Sequence, residues 1–366
     1  MNNAFQMRLA KLRERIRSNG LEGVILTAGP NLRYYTGVNS LLLERPFLLF
    51  ILGERNLHLV APKFELGPYI RTSLPITTHA WADDEGPSHA LQTVVRELGL
   101  RGKWGVEGRV PYRFIHLLVA HSRPELEDAE PILQTVREVK EPREVQMIKR
   151  AASILSSAFL RIPDLIHPGM REVELAKKIT QLIYSNGAEL VDDVLVQSGA
   201  SAADPHHLPE SKKIQRRQSV VVDATCTYSG YYADVTRTYI MGRNSVLENV
   251  YENVYEAQRE AIGASKPGST TGHIDEAARI RLKEQGLDKY FIHRTGHGLG
   301  LEVHEAPYIV PNGPEVVQQF TVFTIEPGVY FPGKFGVRIE DDVKVAQNGA
   351  NVLTRSLPRE LGWWHR

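Results

Sequence analysis

The chain has 366 residues, enough for two domains with cores of their own, and its 42% hydrophobic and 24% charged composition is globular rather than disordered. A formal net charge of +1 argues against a general polyanion binder, so nucleic acid is not expected as a partner. Cys226 is the only cysteine, which excludes an intrachain disulfide, and the longest apolar run, Pro46 to Leu52, is far short of a membrane span, so the expected location is the cytoplasm.

In chain order, Arg8 to Arg17 alternates basic residues with leucines, as a helix with one solvated face does. Short apolar runs follow at Gly23 to Leu26, Phe47 to Leu52 and Leu57 to Ala61, while Ser88 to Leu98 carries helical spacing. This alternation predicts a smaller α/β domain, residues 1–136, with a boundary near 135–142 and a larger domain over 137–366. The larger domain opens at Val139-Lys140-Glu141-Pro142 with a helix whose apolar positions Val145, Ile148, Ala152, Leu155, Phe159 and Ile162 recur at steps of three and four. Pro163 is expected to stop it.

Pro168-Gly169 then leads to a second helix through Val173, Ala176, Ile179 and Ile183. The same order recurs later, with a helix around Val246 to Ile262, then Pro267-Gly268, then a helix around Ile274 to Leu282. Each helix pair leads to an acidic hairpin, so the domain reads as two helix-helix-hairpin halves whose hairpins face one another.

In the first hairpin, Ser219 to Tyr228 and Tyr231 to Ile240 flank the turn signal Ser229-Gly230. A turn centred there places Asp234 opposite Thr225, with Asp223 its diagonal neighbour on the same face. In the second, Phe320 to Ile325 is followed by Phe331-Pro332-Gly333-Lys334 and a strand from Val337 to Val345. A turn centred on Gly333 makes Glu326 and Glu340 direct cross-strand partners. Acids facing each other across a sheet repel, and burial raises that cost, so both pairs call for a cation. Between the hairpins lie His293, His297 and His304, and the glycines around His297 predict a backbone held close to a neighbour, a suitable setting for a ligand imidazole.

These residues resemble a known family. Asp223 with Gly230-Tyr231-Tyr232-Ala233-Asp234-Val235-Thr236-Arg237-Thr238, Gly296-His297-Gly298-Leu299-Gly300, His304-Glu305-Ala306-Pro307, Glu326-Pro327-Gly328 and Val337-Arg338-Ile339-Glu340-Asp341 are similar to the metal-site motifs of Xaa-Pro peptidases, the prolidases and aminopeptidases P of the pita-bread superfamily. Leu21 to Leu26 and Arg33-Tyr34-Tyr35-Thr36-Gly37 resemble the family's accessory domain. The resemblance implies an α/β (α+β) chain, with a creatinase-like N-terminal domain at 1–136 and a pseudo-twofold pita-bread catalytic domain at 137–366.

It also implies a binuclear centre held by Asp223, Asp234, His297, Glu326 and Glu340. Four carboxylates and one imidazole suit Mn²⁺ or Co²⁺, with Zn²⁺ or Fe²⁺ as alternatives, and two ions balance the charge better than one. The implied reaction is hydrolysis of the Xaa-Pro bond of short proline-containing peptides by a hydroxide held between the metals. Glu326 would carry the proton, His304 would contact the substrate and stabilise the tetrahedral intermediate, and His206 and His293 would line the site. Arg338 and Tyr308 are further candidate substrate contacts, and a homodimer is implied, with the accessory domain overhanging the partner's site.

The chain departs from the family pattern at Ile214 to Ser219, at Ala224-Thr225, and at Tyr308, where several microbial dipeptidases carry an arginine able to bind a dipeptide's carboxylate. Dipeptidase and aminopeptidase P specificity therefore both stay open, as does the choice between His206 and His207. The rival readings are an amidinohydrolase or sulfonium lyase on the same scaffold, and a catalytically silent binding protein.

Overall fold

The computed structural model describes residues 2–53, 56–72 and 74–364. The chain forms two compact units, one ending at Arg137 and one beginning at Glu138.

The first unit carries a six-stranded mixed sheet of β1 (Gly23–Leu26), β2 (Leu48–Leu52), β3 (Leu57–Pro62), β4 (Ile76–Trp81), β5 (Lys103–Val106) and β6 (Glu125–Asp128), in the order β4-β3-β2-β1-β5-β6. Its helices are α1 (Asn2–Ser18), α2 (Pro30–Thr36), α3 (Gly67–Ile70), α4 (Ser88–Leu98), α5 (Tyr112–Val119) and α6 (Glu130–Glu138). The apolar runs expected to be strands are β1, β2 and β3. In β1 and β2 every residue is buried, as central strands covered on both faces require, while the edge strands β4 and β6 expose half or more of theirs. The expected helix Ser88 to Leu98 is α4, with buried Ala90, Leu91, Val94 and Val95 on its inner face.

The second unit begins with α7 (Pro142–Phe159), which Glu141 and Glu144 close in a capping box with Pro142 in the first turn. Pro163 does not simply end a helix. It sits in the first turn of α8 (Ile162–Leu165), where the missing N–H is no loss. Next come α9 (Glu172–Ser185) and a three-stranded sheet of β7 (Leu190–Ser198), β8 (Ser219–Tyr228) and β9 (Tyr231–Ile240). The second half repeats the plan with α10 (Ser245–Ala264), α11 (Thr271–Glu284), β10 (Gly296–Gly298), β11 (Glu305–Ile309), β12 (Val322–Ile325), β13 (Gly328–Phe331), β14 (Phe335–Arg338), β15 (Asp341–Ala346) and β16 (Gly349–Val352).

The duplication reaches individual backbone bonds. Gly169 N donates to Ile214 O and Ile214 N to Met170 O; in the second half Gly268 N donates to Val317 O and Val317 N to Ser269 O. Both glycines hold positive φ, 94° and 88°, a conformation that glycine enters without strain. Each Pro-Gly corner is thus pinned by a returning segment, through an isolated bridge, just before its second helix starts.

The hairpin registers place the acids. In β8–β9 Thr225 pairs with Asp234 and Asp223 with Thr236, as the Ser229-Gly230 turn requires. In the second hairpin the register set by Gly333 holds on both sides, from Val322↔Lys344 to Ile325↔Asp341 and from Gly328↔Arg338 to Phe331↔Phe335. Glu326 and Glu340 fall in the gap between these ladders, opposite one another in the expected register but outside the hydrogen-bonded pairs. Their backbone N–H groups leave the hairpin, that of Glu326 for Thr295 O (2.8 Å) and that of Glu340 for Thr236 O (3.1 Å). The break ties the second hairpin to β9 and leaves the two carboxylates close enough for Glu326 to raise the pKa of Glu340.

Candidate metal centre

Asp234 on β9, His297 on β10, Glu326 just after β12 and Glu340 between β14 and β15 converge on one cavity of about 540 Å³, together with Asp223 and Thr225 from β8. His297 can be on this wall because glycine flanks it. A Cβ at Gly296 would lie 1.8 Å from Thr324 O, and one at Gly298 2.3 Å from Ala306 O. The chain is held against its neighbours on both sides of the imidazole.

The side chains present acceptors to acceptors. His297 Nδ1 donates to Gly298 O (3.2 Å), which leaves the Nε2 lone pair 3.4 Å from Glu326 Oε1 and 3.9 Å from Asp234 Oδ2. The imidazole is neutral, because burial above all, then the neighbouring His304, lowers its pKa to about 3. Asp234 Oδ1, Glu340 Oε1 and Thr225 Oγ1 are buried without a hydrogen-bond partner. Burial first, then neighbouring carboxylates, pushes Asp234 and Glu340 well above the ordinary carboxylate range, and burial holds Glu326 up at about 7 against the opposing pull of Arg338. Desolvated acceptors aimed at one another are costly unless a cation lies between them. One ligand atom each from Asp234, His297 and Glu340 lies within 4.8 Å of the others. The residues therefore fit divalent metal ions.

Second contacts orient these groups. Thr236 Oγ1 donates to Glu340 Oε2 (2.6 Å), and Thr324 Oγ1 lies 3.4 Å from Glu326 Oε1 while accepting from His297 N. Arg338 is buried and bonded at each nitrogen, to Asp223 Oδ2 (2.6 Å), Tyr330 Oη (2.8 Å) and Thr236 Oγ1 (3.2 Å). Its guanidinium lines the cavity but serves the site's own side chains.

The histidines divide by exposure. His304 and His206 are exposed and line the cavity, and the His304 ring lies 4.2 Å from that of His297. His207 does not line it; its ring lies 3.7 Å from Glu210. His293 lines the cavity with both nitrogens engaged, Nδ1 donating to Arg294 O (2.7 Å) and Nε2 accepting from Tyr330 Oη (2.8 Å). Burial, then the charge of Arg338, lowers its pKa to about 3, so it is a neutral strut rather than a proton carrier. Tyr308 lies outside the cavity lining and stacks on Arg294, which shares the wall with Arg338.

Sequence reasoning missed several contributors. Gln258 of α10 reaches the break in the second hairpin, its Nε2 3.1 Å from Ile325 O and 3.2 Å from Ile339 O. Asp342 is buried and accepts from Asp234 N at 3.3 Å. Arg237 and Asp341 form a fully buried ion pair at 2.8 Å, from which Arg237 also donates to Glu340 O. Asp192 and Asp193 enter the cavity wall where β7 slips register against β8 between Val191 and Val194. Only the last left a trace in the sequence, as two acids inside a strand-like run.

Residues 146–347 match the family model described as Metallopeptidase family M24, and residues 8–139 match the Creatinase/Prolidase N-terminal domain. The Xaa-Pro dipeptidase of Pyrococcus furiosus is 33% identical over 357 residues, covering 97% of this chain and 99% of that protein. Among solved structures, dipeptidase PepE from Mycobacterium ulcerans is similar with a TM-score of 0.91 at 35% identity, with 98% of each chain covered. The recombinant prolidase from Thermococcus sibiricus is similar with a TM-score of 0.90 at 35% identity, with 96% of each chain covered.

Proposed function

The chain belongs to metallopeptidase family M24, and from that premise we propose that it hydrolyses the Xaa-Pro bond of dipeptides and short peptides. The observation that carries this reading is the facing of Asp234, His297 and Glu340 with two orphaned carboxylate oxygens between the halves of a pita-bread fold. Asp223, Asp234, His297, Glu326 and Glu340 would hold two divalent ions, Mn²⁺ or Co²⁺ before Zn²⁺ or Fe²⁺ on the hardness of an oxygen-rich set. Such ions, when bound, lower the pKa of a coordinated water and polarise a carbonyl.

The chain's own residues supply the rest. Glu326, a carboxylate in the cavity wall, takes the proton of the attacking water and returns it to the leaving prolyl nitrogen. His304 donates to the carbonyl oxygen as its charge develops. His206 shares the rim, and Tyr330 with His293 holds Arg338, which in turn holds Asp223. Arg294, rather than Tyr308, stands where it can meet a substrate carboxylate.

A homodimer in the cytoplasm fits the exposed Leu41, Leu43, Phe64 and Ile70 of the first unit, the lone buried Cys226, and the absence, among the described residues, of any helix long and apolar enough to cross a membrane. The function is tested with Xaa-Pro dipeptides, Xaa-Pro-Yaa tripeptides and Xaa-Ala controls after loading with Mn²⁺ or Co²⁺. Cleavage of both proline series is expected. Turnover of guanidino or sulfonium compounds with no peptide cleaved would overturn it.

A further inference from the structure

His58 on β3, His79 on β4 and Glu97 in the last turn of α4 form a second cluster of donors, wholly within the first unit. The parallel register pairs Val60 with His79, so His58 and His79 are diagonal neighbours on one face of the sheet, and α4 packs on both strands. His58 Nδ1 and His79 Nε2 are 3.1 Å apart, and Glu97 Oε2 lies 3.8 Å from the first and 3.6 Å from the second. Around an ion with bonds of 2.0–2.2 Å, tetrahedral ligand atoms stand roughly 3.3–3.6 Å apart, so this triangle needs only small ring movements to close on a cation.

Two further features point the same way. The Glu97 carboxylate sits at the C-terminal end of α4, where the helix dipole disfavours an anion and favours a cation. The histidine side chains are 13% and 5% exposed and that of Glu97 47%, so the imidazoles are dry while the carboxylate side is open to solvent. Such a site has a route of entry from solvent on its carboxylate side.

We propose that His58, His79 and Glu97 bind a divalent cation of the Zn²⁺ class, separately from the centre in the second unit. The ion ties the edge strand β4 to β3 and α4. It takes no part in peptide hydrolysis, so the outcome of its test is independent of the proposed function.

The experiment equilibrates the full chain with Zn²⁺, dialyses it, and counts bound zinc by elemental analysis in wild type, Glu97→Gln and His79→Gln. The comparison is repeated in an Asp234→Asn/Glu340→Gln background that weakens the other centre. In that background one zinc per chain should remain, and Glu97→Gln should weaken its Kd at least tenfold. Glu97 is exposed enough for that variant to fold, so it decides the matter alone if His79→Gln does not. Peptide turnover should be unchanged in Glu97→Gln. Equal zinc content and equal Kd with and without Glu97→Gln would overturn the proposal, leaving an imidazole pair that shares one proton.

Discussion

At the residue scale, the centre is a set of acceptors with too few donors, and its mutants follow from that. Asp234→Asn or Glu340→Gln replaces a charged ligand with a neutral amide of similar size, so each should lower metal occupancy and abolish most turnover. Elemental analysis with steady-state rates checks both together; full occupancy at the wild-type rate would contradict the assignment. His304 is exposed and bonded to none of the ligands, so His304→Ala should keep the metals and lose on the order of 10² in kcat. Loss of metal in that variant would make His304 a ligand instead.

Glu326 gives a pH signature. Its pKa, raised mainly by burial to about 7 from an ordinary 4.5, means that the folded metal-free protein binds more protons than the unfolded chain. The contribution to stability is therefore full below the unfolded value and is lost as pH rises through the folded one. Metal-free wild type should lose stability relative to Glu326→Gln between those two values, as read by thermal unfolding. A constant difference across that range would remove this reading. The acids and His297 were legible in the sequence because repulsion and glycine context mark them locally. Asp342, Thr236 and Tyr330 were not, since each matters only through a partner that the register brings alongside.

At the element scale, the two turns determined most of what could be read. The Ser229-Gly230 turn carried the register of β8–β9 to its end, and Gly333 carried that of the second hairpin through both of its ladders. What the turn could not show was the break at Glu326 and Glu340, because it is made by groups outside the hairpin: Thr295, Thr236 and Gln258. Gln258 holds both edges of the break, so Gln258→Leu should leave the ligand list intact yet weaken metal binding by roughly tenfold or more, the scale for groups that orient ligands. An unchanged metal Kd with only a lower Tm would reduce Gln258 to a packing role. On β10, Gly296→Ala drives a methyl into Thr324 O and should destabilise by about 3 kcal/mol, lowering Tm by roughly 5–10 °C. A Tm within about 1 °C of wild type would show that the strand can move away.

At the scale of the whole molecule, the second unit is one plan used twice, and its function lies where the two copies meet. The Pro-Gly corners match bond for bond and each leads into a second helix, whereas the hairpins differ, one continuous and one broken. The first hairpin contributes an aspartate pair to the cavity and the second a glutamate pair. The repeat was faint in the sequence because helix faces conserve pattern rather than identity, and the matching corner bonds are between backbone groups, which carry no side-chain signal.

Whether the meeting of the two halves is a two-metal peptidase centre is decided by titrating the chelated protein with Mn²⁺ while following hydrolysis of an Xaa-Pro dipeptide. Mn²⁺ suits the oxygen-rich centre better than the His58–His79–Glu97 cluster. A two-metal centre gives no turnover without metal and a rate that saturates at two equivalents per chain. Full activity in the chelated protein, or metal-loaded protein that leaves the Xaa-Pro bond uncut, would contradict it.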